Sequence, residues 1–285
     1  MSARAPYVVP ALKKHTATVI MAHGLGDRFV LQSPHYTNPI PKLTTVRDPV
    51  VWDGMTRPWE FCPLNTLIDL LGLRMALAQN WRRRGKFEEV AFIFPNAPSI
   101  PITVNFGTSM PGWYDLAKLG RDLDFQESVR NQDEPGILRS RDYFNTLIKE
   151  EMDKGIKPSR IVLGGFSQGG AMSVFTGLTS KEKLGGVFGL SCYLVLSDRI
   201  KNYLPEEWPN KNTPFFLAHG EDDEVVKYQF GEQSAKLLKE LGADVSFNTY
   251  PDLGHSADPV EIEDLERFLM KTLPYEGDGQ SSAGL

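Results

Sequence analysis

Ile161-Val162-Leu163-Gly164-Gly165-Phe166-Ser167-Gln168-Gly169-Gly170-Ala171-Met172 is the stretch from which the fold can be read. An apolar, β-branched run enters a Gly-x-Ser-x-Gly pentapeptide, and the helix-compatible Ala171-Met172-Ser173-Val174-Phe175 leaves it. A chain that passes from strand to helix within one residue must turn sharply. Glycines on either side of the serine remove side chains that would clash in such a turn, and the hydroxyl is left exposed above the end of a sheet. Ser167 is therefore the candidate nucleophile.

A serine hydroxyl is a weak nucleophile at neutral pH and needs a histidine base oriented by a carboxylate. Both lie downstream. Pro214-Phe215-Phe216-Leu217-Ala218-His219-Gly220 reads as a buried strand ending at a glycine turn, followed by Glu221-Asp222-Asp223-Glu224. Val245 to Tyr250 alternates as a strand does, and Pro251-Asp252-Leu253-Gly254-His255-Ser256 forms the loop beyond it. His255 is the candidate base, and one carboxylate of the acidic loop is the candidate acid. The order Ser, acid, His is that of the α/β-hydrolases. His23 and His219, each before a glycine at a strand end, read as structural hydrogen-bonding groups, and His15 and His35 as surface groups.

Thr16-Ala17-Thr18-Val19-Ile20-Met21-Ala22 reads as a strand, and His23-Gly24-Leu25-Gly26-Asp27 follows as a loop rich in free backbone N–H groups. In an α/β-hydrolase, one oxyanion donor is the amide after the nucleophile and the other comes from an upstream strand-to-helix loop. Here these are Gln168 and Leu25. Helical periodicity is expected over Gly136 to Met152, Tyr228 to Leu241 and Pro259 to Leu273, and Leu64 to Ala78 could also form a helix. Strands alternating with such helices specify an α/β architecture, a mostly parallel central sheet flanked by helices on both faces.

Composition narrows the function classes. The 285 residues carry a formal charge of -5, and the one basic cluster, Arg82-Arg83-Arg84, reads as a helix end rather than a nucleic-acid footprint. No run of 18 apolar residues suggests a membrane span, and the N-terminus has no apolar signal core. Cys62 and Cys192 lack metal-ligand spacing and read as reduced thiols, so neither a metal nor a cofactor is expected. A single domain over residues 1–275 is expected, with residues 276–285 as a disordered tail.

Six motifs in order carry a family likeness: His23-Gly24-Leu25-Gly26-Asp27, Phe94-Pro95-Asn96-Ala97-Pro98, Met110-Pro111-Gly112-Trp113-Tyr114-Asp115, Gly164 to Gly170, Leu190-Ser191-Cys192 and Leu253-Gly254-His255-Ser256. Over residues 16–27 and about 76–273 the chain resembles the acyl-protein thioesterase and lysophospholipase family. The resemblance implies the α/β-hydrolase fold and a triad of Ser167, Asp223 and His255, favouring Asp223 over Asp222. The implied activity is hydrolysis of the thioester of S-palmitoylated proteins through an acyl-enzyme. Membrane-associated Ras-type GTPases and G-protein α subunits are the implied partners, with lysophospholipids or carboxylesters as the near alternative. Cytoplasmic location is implied, with the nucleus as a second compartment. The apolar segments holding Ile100, Ile102 and Trp113 would wall a channel for the acyl chain.

One region departs from that pattern. Residues 28–74, punctuated by Pro34, Pro39, Pro41, Pro49, Pro58 and Pro63, stand where the family has a short turn. A lid or membrane-touching insertion, a neutral surface loop and translated non-coding sequence are the three readings. The last is favoured, because the flanking motifs resume almost intact. On that reading the insert loosens the loop carrying Leu25, and a non-catalytic binder of acyl chains or lipidated proteins becomes the second functional class.

Overall fold

The computed structural model describes residues 5–26, 77–118 and 123–277. The N-terminal strands are β1 (Tyr7–Val9), β2 (Ala17–Ala22) and β3 (Val90–Phe94), with residues 77–83 helical (α1) between β2 and β3. A hairpin of β4 (Ser99–Ile102) and β5 (Thr108–Pro111) follows, then helices α2 (Phe125–Val129) and α3 (Glu134–Asp153). The C-terminal part runs β6 (Ile161–Phe166), α4 (Gln168–Thr179), β7 (Gly186–Leu190), β8 (Pro214–Gly220), α5 (Tyr228–Glu240), β9 (Asp244–Tyr250) and α6 (Pro259–Thr272). Among the described residues, seven strands form one sheet in the order β1-β3-β2-β6-β7-β8-β9, all parallel except β1 against β3.

Alternation along the strands creates two cores. On β2, Ile20 and Ala22 enter one cluster while Val19 and Met21 enter the other; on β8, Phe215 and Leu217 part from Phe216 and Ala218 in the same way. The first cluster is closed by apolar residues of α3, α4 and α5, the second by Leu77, Ala78 and Trp81 of α1 and by Leu265, Phe268 and Leu269 of α6. The inner parallel strands, covered on both faces, are apolar nearly throughout, whereas the edge strand β9 is partly exposed and alternates apolar with polar residues.

The helix ends follow local chemistry. The Asp133 carboxylate accepts from the Gly136 N–H at 3.0 Å and caps α3, while Asp258 caps α6, where Pro259 supplies a preset φ. α1 ends at the arginine cluster as expected, and Gly85, at φ 68°, permits the turn beyond it. Two of the three arginines are engaged within the fold: Arg82 donates to the Val9 and Val90 carbonyls, and Arg84 pairs with Glu266. Of the helix expected over 64–78, only the last two residues lie among those described, and both are helical.

The chain passes from β2 to β3 on one side and then crosses to β6 on the other side of β2. That reversal places the loops after β2 and β6 side by side at the carboxyl ends of the strands, the position where open α/β sheets bind ligands. At the opposite end, the buried Arg160 guanidinium bonds Glu89 at 2.8 Å and the Pro274 carbonyl at 2.6 Å, and the Glu276 N–H donates to Glu89 at 2.9 Å. Glu276 is thus tied to the body of the domain, which corrects the expectation that the tail is loose from residue 276; residues 278–285 lie outside those described.

Glu89→Ala removes the buried counter-ion of Arg160 and leaves only the part-exposed Glu276 carboxylate, 3.6 Å away; breaking a buried pair costs about 3–5 kcal/mol in comparable cases. A fall of that size in unfolding free energy is expected from urea denaturation, and a change under about 1 kcal/mol would show that Glu276 and the carbonyl acceptors satisfy Arg160.

Candidate functional site

Ser167 sits between β6 and α4 with φ 53° and ψ -123°, a conformation that side-chain-bearing residues rarely adopt and that costs about 1–3 kcal/mol. The glycines around it explain how it persists. A Cβ on Gly165 would lie 2.6 Å from the Ala22 carbonyl oxygen, and one on Gly169 would lie 2.6 Å from the Ala22 carbonyl carbon and collide with the His23 carbonyl oxygen. Side chains at either position would push the nucleophile turn away from the end of β2. Ser167 N–H bonds the Leu190 carbonyl at 2.8 Å, which ties the turn to β7 as well.

The structure brings the three expected triad residues together. His255 Nδ1 lies 2.7 Å from Asp223 Oδ2, and His255 Nε2 lies 3.0 Å from Ser167 Oγ. An ionised carboxylate only accepts, so Nδ1 donates and Nε2 is left to accept the serine proton. The Phe166 ring, 4.8 Å from the imidazole, backs His255. Asp223 is buried while Asp222 is exposed, which separates the two neighbours as expected.

Burial alone would raise the Asp223 carboxyl. Hydrogen bonding from His219 and His255 outweighs it and holds the group at about 2, so Asp223 is an anion throughout the neutral range. Its other oxygen accepts the N–H groups of Val225 and Val226 at 2.9 and 2.8 Å. His219, buried beneath, donates from Nε2 to the Val226 carbonyl at 2.7 Å and approaches Asp223 Oδ2 at 3.4 Å. This histidine has the structural role expected of it, but its contact with the acid was not foreseen from sequence. The pattern that could have revealed it is the i, i+4 spacing of His219 and Asp223 across a glycine turn.

The two expected oxyanion loops lie beside the serine. Gly24 is so close that a Cβ there would meet Ser167 Cβ at 3.4 Å, and Leu25 follows, half-buried. His23 is structural as expected: Nδ1 donates to the Gly24 carbonyl at 2.7 Å and Nε2 accepts the Ala97 N–H at 2.9 Å. Gln168 opens α4, so its backbone N–H belongs to the first turn, whose amides have no intrahelical partner. Its side chain reaches away from the serine, accepting the Trp113 N–H and donating to the Tyr114 carbonyl, both at 2.7 Å.

The expected acyl-channel residues divide. Trp113 is only 2% exposed, packed edge-to-face on Phe144 at 4.9 Å, and Ile102 is fully buried, so neither presents a surface to a ligand. The reason is that residues 99–111 form the β4–β5 hairpin rather than an open loop; the turn Asn105-Phe106-Gly107, with positive φ at Phe106 and Gly107, is the signal in the sequence. Ile100 keeps part of its surface. Leu25, Ile100 and Ile102 converge on Gly112, where a Cβ would meet all three at 3.1–3.4 Å.

Other titratable groups are excluded from the chemistry. Burial pushes the Cys192 thiol up to about 12, so it is not a thiolate, and Cys62 and His35 lie outside the described residues. His15, expected at the surface, instead shares a network in which its Nε2 lies 2.8 Å from Thr18 Oγ1, itself bonded to the buried Glu151. No group of three metal-ligating side chains occurs among the described residues.

A model of the phospholipase/carboxylesterase family matches residues 72–273. Acyl-protein thioesterase 1 of Aspergillus fumigatus is 65% identical over 283 residues, covering 99% of this chain and 98% of that protein. The protein of the same name from Emericella nidulans is 63% identical over 277 residues, covering 97% and 98%. Among solved structures, Arabidopsis thaliana SOBER1 superposes with a TM-score of 0.69 at 24% identity, over 90% of this chain and 99% of that one, a likeness of fold. The 99% coverage has a direct consequence for residues 28–74: they lie within the length aligned to a strongly similar relative. That coverage speaks against their reading as translated non-coding sequence.

Glu261, in the first turn of α6, offers a test of the site's electrostatics. It is buried, faces the Asp258 backbone in a capping-box position, and forms no well-aligned hydrogen bond through either oxygen. Burial pushes its carboxyl up from 4.5 to about 8, with the Asp258 and Asp223 charges adding to the rise. Between those values the folded chain keeps a proton that the unfolded chain has released. Stability therefore falls as pH rises through that window, by up to about 1.4 kcal/mol per pH unit. Thermal melts of Glu261→Gln, which preserves the cap and removes the titration, should match the wild type near pH 5 and exceed it increasingly towards pH 8; parallel curves would show that Glu261 is ionised in the fold.

Proposed function

The chain belongs to the phospholipase/carboxylesterase family, and from that premise we propose that it is an acyl-protein thioesterase, a serine hydrolase that removes palmitate from S-acylated proteins. The observation that carries the reading is the continuous path Asp223–His255–Ser167, at 2.7 and 3.0 Å, beside the loops that hold Leu25 and Gln168. Ser167 Oγ attacks the thioester carbonyl as His255 Nε2 takes its proton. The tetrahedral oxyanion is stabilised by the Leu25 and Gln168 backbone N–H groups. Collapse expels the cysteine thiol, protonated by His255, and leaves palmitate esterified to Ser167. Water, deprotonated by the same imidazole, then releases the fatty acid and restores the serine. Asp223, anionic throughout, stabilises the imidazolium that forms twice in the cycle.

The substrate class is supported by the names of the relatives and by the part-exposed apolar side chains of Leu25 and Ile100, which pack beside Gly112 next to the oxyanion loop. Each buried CH₂ of an acyl chain contributes about 0.8 kcal/mol of transfer free energy, so a surface of this kind favours long chains. Ras-type GTPases and G-protein α subunits are the proposed acylated partners, and the cytoplasm, extending to the nucleus, the proposed location. Residues 28–74 are proposed to be a native insertion within a single hydrolase domain, supported by the near full-length alignment to relatives.

Turnover of an S-palmitoylated peptide, compared with a lysophospholipid, tests the substrate class; faster thioester cleavage is expected, and a preference for lysophospholipid would reassign the main activity. On the preferred substrate, Ser167→Ala and Asp223→Asn should each lower kcat by about 10⁴-fold, whereas Asp222→Asn stays within a few-fold of wild type. Peptide mapping of the native protein should recover sequences from residues 28–74; their consistent absence would mean that the segment does not belong to the mature chain.

A further inference from the structure

Two backbone amides from loops far apart in sequence must face one oxyanion, and the fold needs some part to hold their separation. The segment Pro111–Tyr114 contacts both loops. Its Pro111 carbonyl accepts the Gly26 N–H at 2.8 Å, and the Trp113 indole N–H donates to the His23 carbonyl at 2.8 Å. Leu25 is therefore anchored through the residues on both sides of it. On the other loop, both atoms of the Gln168 side-chain amide bond the same segment, through the Trp113 N–H and the Tyr114 carbonyl. The segment is itself immobilised: Ser140 Oγ donates to the Trp113 carbonyl, Gly112 N–H bonds the Pro98 carbonyl at 3.1 Å, and the indole packs on Phe144. Trp113, Tyr114, Ser140 and Gln168 are all buried, so these bonds do not compete with water.

We propose that Pro111–Tyr114 is a strut that fixes the distance between the two oxyanion donors, with Trp113 and the side chain of Gln168 as positioning residues. The inference rests on the serine-hydrolase reading but not on the thioester substrate. It also removes the expectation that a long segment beginning at residue 28 must loosen the Leu25 amide. Gly26 and His23, on either side of the donor, are both hydrogen-bonded to the strut.

The strut acts when charge develops on the carbonyl oxygen, not when substrate binds. Trp113→Phe keeps the aromatic packing and deletes one N–H. Gln168→Met keeps the backbone donor and deletes both side-chain bonds, and it carries the test if Trp113→Phe does not fold. Each should lower kcat for a p-nitrophenyl ester by about 10- to 100-fold, less than the loss of a whole oxyanion donor, with KM within about two-fold. Affinity for an alkyl trifluoromethyl ketone, whose adduct with Ser167 carries an oxyanion, should fall by the same factor. The acidic limb of the pH–rate profile should stay in place, since the strut does not touch His255. Rates are normalised to the fraction of Ser167 that a fluorophosphonate labels at completion. Wild-type kcat in the folded fraction of Gln168→Met, or unchanged affinity for the ketone, overturns the strut. Absence of ester hydrolysis and labelling in the wild type would overturn the serine-hydrolase reading beneath it.

Discussion

The close approach of the β6–α4 turn to the end of β2 is the constraint on which the rest of the site depends. Gly165 and Gly169 lie against the Ala22 and His23 carbonyls with no room for a Cβ, and the serine between them is held at positive φ. The strain of about 1–3 kcal/mol is sustained because β6 is hydrogen-bonded to β2 on one side and β7 on the other, and because α4 is buried along its whole length. A turn in this position cannot relax without unpairing the centre of the sheet. The same approach places Gly24 against Ser167, so nucleophile and oxyanion loop are set by one packing decision.

Electrostatics complete what packing begins. Asp223 is desolvated, which taken alone disfavours its charge, yet two backbone amides and two imidazoles converge on it and keep it ionised. A buried anion of this kind orients His255 through one bond and accepts no proton itself. Glu261, nearby and without such donors, takes the opposite course and keeps its proton. Two carboxylic acids in one region thus hold different protonation states, and the difference lies in the number of donors each can reach.

The departure from family length after Asp27 bears on the protein's history rather than on the integrity of its site. Relatives align along nearly the entire chain, a span that includes residues 28–74. The hydrogen bonds on either side of Leu25 explain how an oxyanion loop tolerates a long continuation: the donor is braced from the β5 side, whatever the length of chain inserted after Asp27.

Much of this protein is legible in the linear chain because its chemistry is concentrated at strand ends. Ser167 carries its own strand, glycines and helix, and Asp223 and His255 each come after a strand in the expected order. The helices over 134–153, 228–240 and 259–272 agree with their apolar period to within two residues at each end. These features are local, so sequence determines them. What sequence could not decide is which residues touch across the fold. Trp113 reads as an apolar wall for a ligand, yet its partners are the His23 carbonyl and the Gln168 side chain, 90 and 55 residues away. The acyl-wall expectation failed at Trp113 and Ile102 because hydrophobicity marks a residue for burial without saying what buries it. Only the tertiary structure, by bringing the hairpin against two catalytic loops, turned a buried indole into a hydrogen-bonded strut.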